Sequence, residues 1–316
     1  MRAVPPPAIP QGLRDLVTHH VPDPGMPSGA DWLDTLPGLV GELLDRWTLR
    51  HDGAARHGYA ALVLPVRRED GTPAALKITW PHREARDEHR TLTLWSDGPA
   101  VRLLAADPTR WALLLERLTP DRDLGTVDPI TACGVIGDLL RRLDRPAPPW
   151  AERAGDHLLE LAEDIDRLRA CEGVQQFPRR LLDQGRATAL ELAAEPNVDA
   201  RLLHTDLHQH NVLWRPDPGE WVAIDPKPMA ADPLLGLAPA LWNQWPEAVA
   251  AVSTRAHLRR RLDVLCERAG LDRDRADAFA LVRLVRNAVW DLQDPAPMTP
   301  DDSTQIVTII KALQPA

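Results

Sequence analysis

The chain has 316 residues, 44% hydrophobic and 26% charged, which is long enough for two lobes with cores of their own and close to the balance of a globular protein. Its net charge of −9, from 37 basic and 46 acidic residues, gives no footprint for nucleic acid. No apolar run reaches the length of a membrane span, and the opening MRAVPPPAIP lacks the apolar centre of a signal peptide, so a cytoplasmic protein is expected.

In chain order, residues 1–28 are rich in Pro and Gly and read as a flexible arm. From Asp31 to Trp47 the apolar residues Leu33, Leu36, Leu39, Val40, Leu43, Leu44 and Trp47 fall at helical spacing. Tyr59–Val66 and Thr72–Trp80 read as strands joined through Asp70-Gly71, a hairpin signal, with Pro65 and Pro73 pointing to edges or bulges. A helix is expected over His82–Trp95, then strands over Val101–Ala106 and Trp111–Glu116. Beyond Pro120 the patterns are mostly helical: Pro129–Leu143, Ala154–Ala170 and Pro178–Ala194. A β-like island follows, Asn211–Trp214 and Trp221–Asp225, split by Pro216-Asp217-Pro218-Gly219, and the remainder is helical with a Pro-containing break before Asp301. A β-rich segment with one helix thus precedes a helical segment with one small hairpin, an α+β arrangement. The expected division is an arm at 1–28, a β-rich lobe at 29–118 and a helical lobe at 119–316. Cys133, Cys171 and Cys266 are far apart and suggest neither a disulfide framework nor a Cys-rich zinc site.

Only Lys77, Lys227 and Lys311 among the 37 basic residues are lysine. A compact ammonium and a planar guanidinium fork are not interchangeable, so a lysine kept in an arginine-rich chain is informative, and two of the three lie in the segments that follow. The sharpest motif is His204-Thr205-Asp206-Leu207-His208-Gln209-His210-Asn211, with Asp225 fourteen residues after Asn211 at the end of the apolar run Val222-Ala223-Ile224. Phosphoryl transfer asks for an acceptor held in line and for charge neutralised on the phosphates. Asp206 can accept or orient the acceptor hydroxyl's proton. The amide oxygen of Asn211 and the carboxylate of Asp225 are hard oxygen ligands suited to Mg²⁺, and a hairpin sets them side by side.

This segment resembles the catalytic loop and metal-binding strand of the protein-kinase-like fold in its antibiotic-kinase variety, whose pattern is His-Gly-Asp-x4-Asn followed by Ile-Asp. The strings around it (Leu202-Leu203-His204, Asn211-Val212-Leu213, Trp221 to Lys227, and Ala238-Pro239-Ala240-Leu241-Trp242-Asn243) are similar to those of the streptomycin and hydroxyurea phosphotransferase family, as are HGYAALVLPVRREDGTPAALKITWPH and AVRLLAADPTRWALLLERL earlier in the chain. The resemblance implies two lobes, with ATP in the cleft between them. It implies that Lys77 contacts the α- and β-phosphates, with Glu88 preferred to Glu84 as its partner. It implies further that the Glu116 carbonyl and the Leu118 N–H hold adenine, with little demand on side-chain identity, and that the acceptor is a small molecule with a hydroxyl, a streptomycin-like aminoglycoside or hydroxyurea.

Departures from the family pattern are Thr205 in place of the Gly between His and Asp, Ala231 before Asp232-Pro233, Gly236 at the next acidic position, and no Gly-x-Gly-x-x-Gly around Gly53 and Gly58. Singly, Asp206, Asn211 and Asp225 are residues that turns and caps favour. Jointly, with Lys77 upstream, they point to a kinase site. Two rivals are a metal-dependent hydrolase built on His204, Asp206 and His208, and a nucleotide-binding protein without catalysis. The intact Asp206 argues against the second. A protein kinase is disfavoured, because Asp225 is followed by Pro-Lys rather than Phe-Gly and no Ala-Pro-Glu follows. Lys227 is read either as an exposed strand-end charge or as a group near phosphate or substrate. Asp291 and Asp294 are read either as a solvated helix end or as part of an acceptor pocket, which Trp242 and Trp290 could also line.

Overall fold

The computed structural model describes residues 8–170, 177–293 and 299–314. Residues up to Thr119, with Arg215–Gly219, form one compact unit; Pro120–Trp214 and Glu220–Ala316 form the other.

The first unit opens with a correction. The stretch expected to be a flexible arm contains α1 (Gln11–His19), whose Leu13 and Val17 are fully buried. Leu13, Leu16 and Val17 fall at i, i+3 and i+4, a one-faced helix too short to stand out between the flanking prolines. It lies against α2 (Gly29–Arg46), which Ser28 caps by accepting from the Asp31 N–H at 3.1 Å. A Cβ on Gly29 would come within 1.9 Å of the Val17 carbonyl oxygen, so only glycine permits this approach. The buried face of α2 carries Trp32, Leu33, Leu36, Val40 and Leu43.

Six strands follow: β1 (Arg50–His51), β2 (Arg56–His57), β3 (Ala61–Arg67), β4 (Pro73–Thr79), β5 (Leu103–Asp107) and β6 (Ala112–Glu116). They form an antiparallel sheet of order β1-β3-β4-β6-β5, with β2 also on β3. The register β3–β4 is continuous through both prolines, Pro65 opposite Ala75 and Pro73 opposite Arg67. Pro65 is tolerated because β1 and β2 pair with β3 on either side of it, at Arg67–Val66 and Val63–Leu62, so the missing N–H falls in the gap. Pro73 stands at a strand start. Of the helix expected over 82–95, only α3 (Glu88–Leu94) is α-helical, preceded by a 3₁₀ turn at Arg83–Ala85. The run Arg83, Glu84, Arg86 is exposed and offers no apolar face. The core between sheet and helices includes Leu62, Leu64, Leu76, Ile78 and Leu114 together with Leu13, Trp32 and Leu36.

In the second unit, β7 (Thr119–Asp123) leads into α4 (Pro129–Leu143), capped by Asp128. After β8 (Arg145–Pro146) come α5 (Ala154–Ala170) and α6 (Arg179–Ala193), then β9 (Arg201–His204), β10 (Val212–Arg215), β11 (Glu220–Ala223) and β12 (Pro228–Ala231). Two small sheets result, ordered β11-β10-β7 and β12-β9-β8. The chain closes with α7 (Pro239–Trp242), α8 (Trp245–Ala250), α9 (Thr254–Ala269), α10 (Arg273–Gln293) and α11 (Pro300–Leu313). α4 packs on α9, and α5 on α6. The pairing β9–β12 was not expected, because His204 and Met229 sit in short runs without clear alternation. Among the described residues no helix is long and apolar enough to cross a membrane. Cys133 and Cys266 are buried free thiols in α4 and α9, their pKa values pushed by burial up to about 12 and about 11; Cys171 lies outside the described residues.

Candidate active site

The second unit gathers the motif residues at the ends of β9, β10, β11 and β12. β9 and β12 run antiparallel with His204 opposite Pro228, which sets Lys227 alongside Thr205. The Thr205 N–H and Oγ1 both donate to the Lys227 carbonyl, at 3.1 and 2.9 Å. Lys227 Nζ donates to Asp206 Oδ2 at 3.0 Å. Asn211 Nδ2 donates to the Asp206 carbonyl at 2.9 Å and lies 3.4 Å from Oδ2. Both partners are acceptors, which assigns the amide nitrogen to them and turns the amide oxygen the other way. Among the described residues Asp206 Oδ1 accepts no hydrogen bond. Burial alone would raise the Asp206 pKa, but the Lys227 ammonium, aided by His208 and by the Lys227 hydrogen bond, outweighs it and holds the carboxyl below its ordinary value. The carboxylate is therefore ionised, anchored by one oxygen and open at the other.

His204 fixes this loop from within. Its Nδ1 accepts the Asp206 N–H at 3.2 Å and its Nε2 donates to the Ile224 carbonyl at 2.9 Å. Both ring nitrogens are used by backbone, and burial drives its pKa down to about 4, so the ring is neutral. His208 is pushed down by burial as well; its Nδ1 accepts the His210 N–H, and its Nε2 is 3.9 Å from Asp206 Oδ2. His210 pairs with Asp123 on β7 at 2.8 Å. Each histidine thus has a local task, and among the described residues no group of three His, Cys, Asp or Glu is arranged to hold a metal.

Asn211 ends a 3₁₀ turn and leads into β10; its carbonyl accepts the Ile224 N–H at 3.0 Å. That bond ties the loop to the end of β11, where Asp225 follows with a left-handed backbone at φ 53°. For a residue with a Cβ this is a sparsely populated conformation, retained where surrounding structure fixes it. The Asn211 amide oxygen and the Asp225 carboxylate are hard oxygen donors, of the kind a divalent cation takes.

In the first unit Lys77, on the central strand β4, donates to both carboxylate oxygens of Glu88 at 2.7 Å. Both side chains are buried, 8% and 3% exposed. Glu84 is exposed. Glu116, at the end of β6, does more than the sequence suggested. Its Oε1 accepts from Arg215 Nε at 3.0 Å, from Arg215 Nη2 at 2.6 Å and from the Arg102 N–H at 2.8 Å. The side chain therefore matters, whatever its backbone does. Leu118 lies just past β6, half-buried.

At Gly236 a Cβ would meet Leu203 Cδ1 at 2.9 Å, so the end of that leucine would have to shift to admit a side chain. Asp232 caps the turn Pro233–Gly236 and pairs with Arg275 at 3.1 Å. Sequence reasoning did not reach Arg261, fully buried on α9, which donates to the Asn243 and Gln244 carbonyls at 2.7 and 2.9 Å. Gln244 in turn donates to the Gly125 and Val127 carbonyls at 3.0 and 2.8 Å, tying the segment after α7 to the turn beside His210. Trp242 and Trp290 both lie near Arg283, its guanidinium carbon 5.5 and 5.4 Å from their ring centres. Asp291 is half-buried on α10, and Asp294 lies outside the described residues.

With this geometry in view, residues 46–295 match the family described as aminoglycoside/hydroxyurea antibiotic resistance kinase. The chain belongs to that family. It is 43% identical over 268 residues to a streptomycin 6-kinase of Streptomyces glaucescens, covering 84% of this chain and 86% of the relative. It is 39% identical over 300 residues to a hydroxyurea phosphotransferase of Kitasatospora aureofaciens, covering 90% and 82%. Among solved structures, the fold is shared with a thermostable mutant of the aminoglycoside phosphotransferase APH(4)-Ia in ternary complex with ADP and hygromycin B, at TM-score 0.58 and 14% identity, covering 86% of this chain and 97% of that one. The chain is thus a kinase of protein-kinase-like fold, a phosphotransferase with a hydroxyl group as acceptor.

Proposed function

We propose that this kinase moves the γ-phosphoryl group of ATP onto a hydroxyl of an antibiotic-like small molecule, with a streptomycin-type aminoglycoside or hydroxyurea as the first acceptors to test. The observation that carries the reading is Asp206: ionised, held through Oδ2 by Lys227, and open at Oδ1. In the reaction the acceptor's O–H proton passes to Oδ1 while its oxygen bonds to the γ-phosphorus. The bond from that phosphorus to the β–γ bridging oxygen breaks, and ADP leaves with the electron pair. Such a base contributes ~10²–10⁴-fold. Asn211 and Asp225 are the Mg²⁺ ligands in this reading, supported by their oxygen donors and by the backbone bond joining their segments. A bound Mg²⁺ supplies neutralising charge to the phosphate oxygens. Lys77, held by Glu88, positions the phosphates, and the Glu116 carbonyl and Leu118 N–H take adenine.

Purified protein is to be given Mg-ATP with streptomycin, other aminoglycosides, hydroxyurea or no acceptor, and ADP release followed. Release stimulated by one acceptor names the substrate class. ATP binding with no stimulation by any of them would refute the acceptor assignment.

A further inference from the structure

Two features of the sequence stood apart: a threonine where the family pattern has glycine, and a lysine without an assigned task. The structure joins them. Thr205 grips the Lys227 carbonyl twice, through N–H and hydroxyl, so the backbone at 227 is fixed one residue from Asp206. From there the lysine stem delivers Nζ to Oδ2 at 3.0 Å. We propose that Thr205 and Lys227 form a positioning device for Asp206, pinning Oδ2 so that Oδ1 faces the acceptor hydroxyl. This rests on Asp206 being the base of the transfer reaction. Lys227 is then a positioning residue, acting through Asp206.

Three observations support the assignment. Lys227 and Asn211 approach the same carboxylate oxygen, Oδ2, and among the described residues Oδ1 accepts no hydrogen bond. A hydroxyl at 205 adds a second bond to a carbonyl that the 205 N–H already holds, which glycine at that position could not do. An ammonium also fits better than a guanidinium, whose planar fork prefers to take both oxygens of a carboxylate and would compete for Oδ1. The retention of lysine in a chain that otherwise uses arginine follows from that geometry.

The test compares Lys227→Ala and Lys227→Arg with the parent protein, each alone and in an Asp206→Ala background, with acceptor and ATP varied separately. Misplacement of a reacting group by about 1 Å can cost ~10²-fold. Lys227→Ala is therefore expected to lower kcat by ~10²-fold with less than about a twofold change in the KM for ATP. Lys227→Arg is expected not to restore it, whereas added methylammonium is expected to recover part of kcat in Lys227→Ala. In the Asp206→Ala background Lys227→Ala should have no further effect. Thr205→Val, which removes the hydroxyl and keeps the N–H, should give a smaller kcat loss of about tenfold. Full activity in Lys227→Ala would overturn the proposal, and so would an equal additional loss in the Asp206→Ala background, since that places Lys227 on the phosphates. Should Lys227→Ala not fold, Lys227→Met keeps the stem and carries the same expectations. A parent protein inactive with every acceptor would instead count against the reading of the function.

Discussion

The two lysines of the site segments make the same kind of bond in opposite settings. Lys77 and Glu88 are closed to water: both carboxylate oxygens accept from the ammonium at 2.7 Å, with almost no exposure. Lys227 and Asp206 are 27% and 17% exposed, one oxygen is engaged and the other is open. A buried pair gains little net stability over apolar packing but is costly to break, because the survivor is a bare charge in a low dielectric. A half-open pair loses little when broken, because water takes the missing partner's place. The first lysine is therefore embedded in its fold, while the second is a device that can fail without the fold failing.

The sharpest way to break this contrast is Lys77→Met. It takes the ammonium away from a buried carboxylate and is expected to destabilise the protein by about 3–5 kcal/mol, read from denaturant unfolding. Lys77→Met with Glu88→Leu should recover much of that stability and none of the turnover. A loss below about 1 kcal/mol for the single variant would show that water reaches the pair.

His204 extends the comparison to pH. Its folded pKa of about 4 lies below its ordinary value of 6.5, so the unfolded chain takes up the proton first. Stability tied to this group is full above pH 6.5 and lost as pH falls toward 4, on the order of 3 kcal/mol in all. His204→Gln should flatten that part of the stability–pH curve; an unchanged slope would mean the ring protonates in place.

Packing comes next. Gly29→Ala forces a methyl against the Val17 carbonyl and should cost about 1–3 kcal/mol, seen as a lower Tm, if α1 is a built part of the first unit. A free arm would show no change. The smallest stability effect is expected for Lys227→Ala, below about 1 kcal/mol by the same unfolding measurement, despite its large kinetic effect.

How much was legible in the sequence follows the same divide. Asp206, Asn211 and Asp225 could be proposed because their donor types suit phosphoryl transfer, Lys77 because of the family resemblance, and the long helices α4, α5 and α6 because their apolar periodicity is sustained. α1 was lost because nine residues with three apolar positions give too little periodicity beside so many prolines. The β9–β12 pairing was lost because two four-residue strands carry no alternation, and with it went the meeting of Thr205 with Lys227. The use of Glu116 by Arg215, 99 positions later, is a contact between distant segments that no local pattern encodes.

The most direct test of the central claim is Asp206→Asn, which keeps the shape of the side chain and removes the base. ATP affinity by calorimetry and acceptor-stimulated ADP release should be measured on the same preparation. The expected result is ATP binding within about twofold of the parent and turnover lower by ~10³-fold. Turnover close to that of the parent, with ATP bound, would mean that another group takes the proton and that Asp206 is not the base.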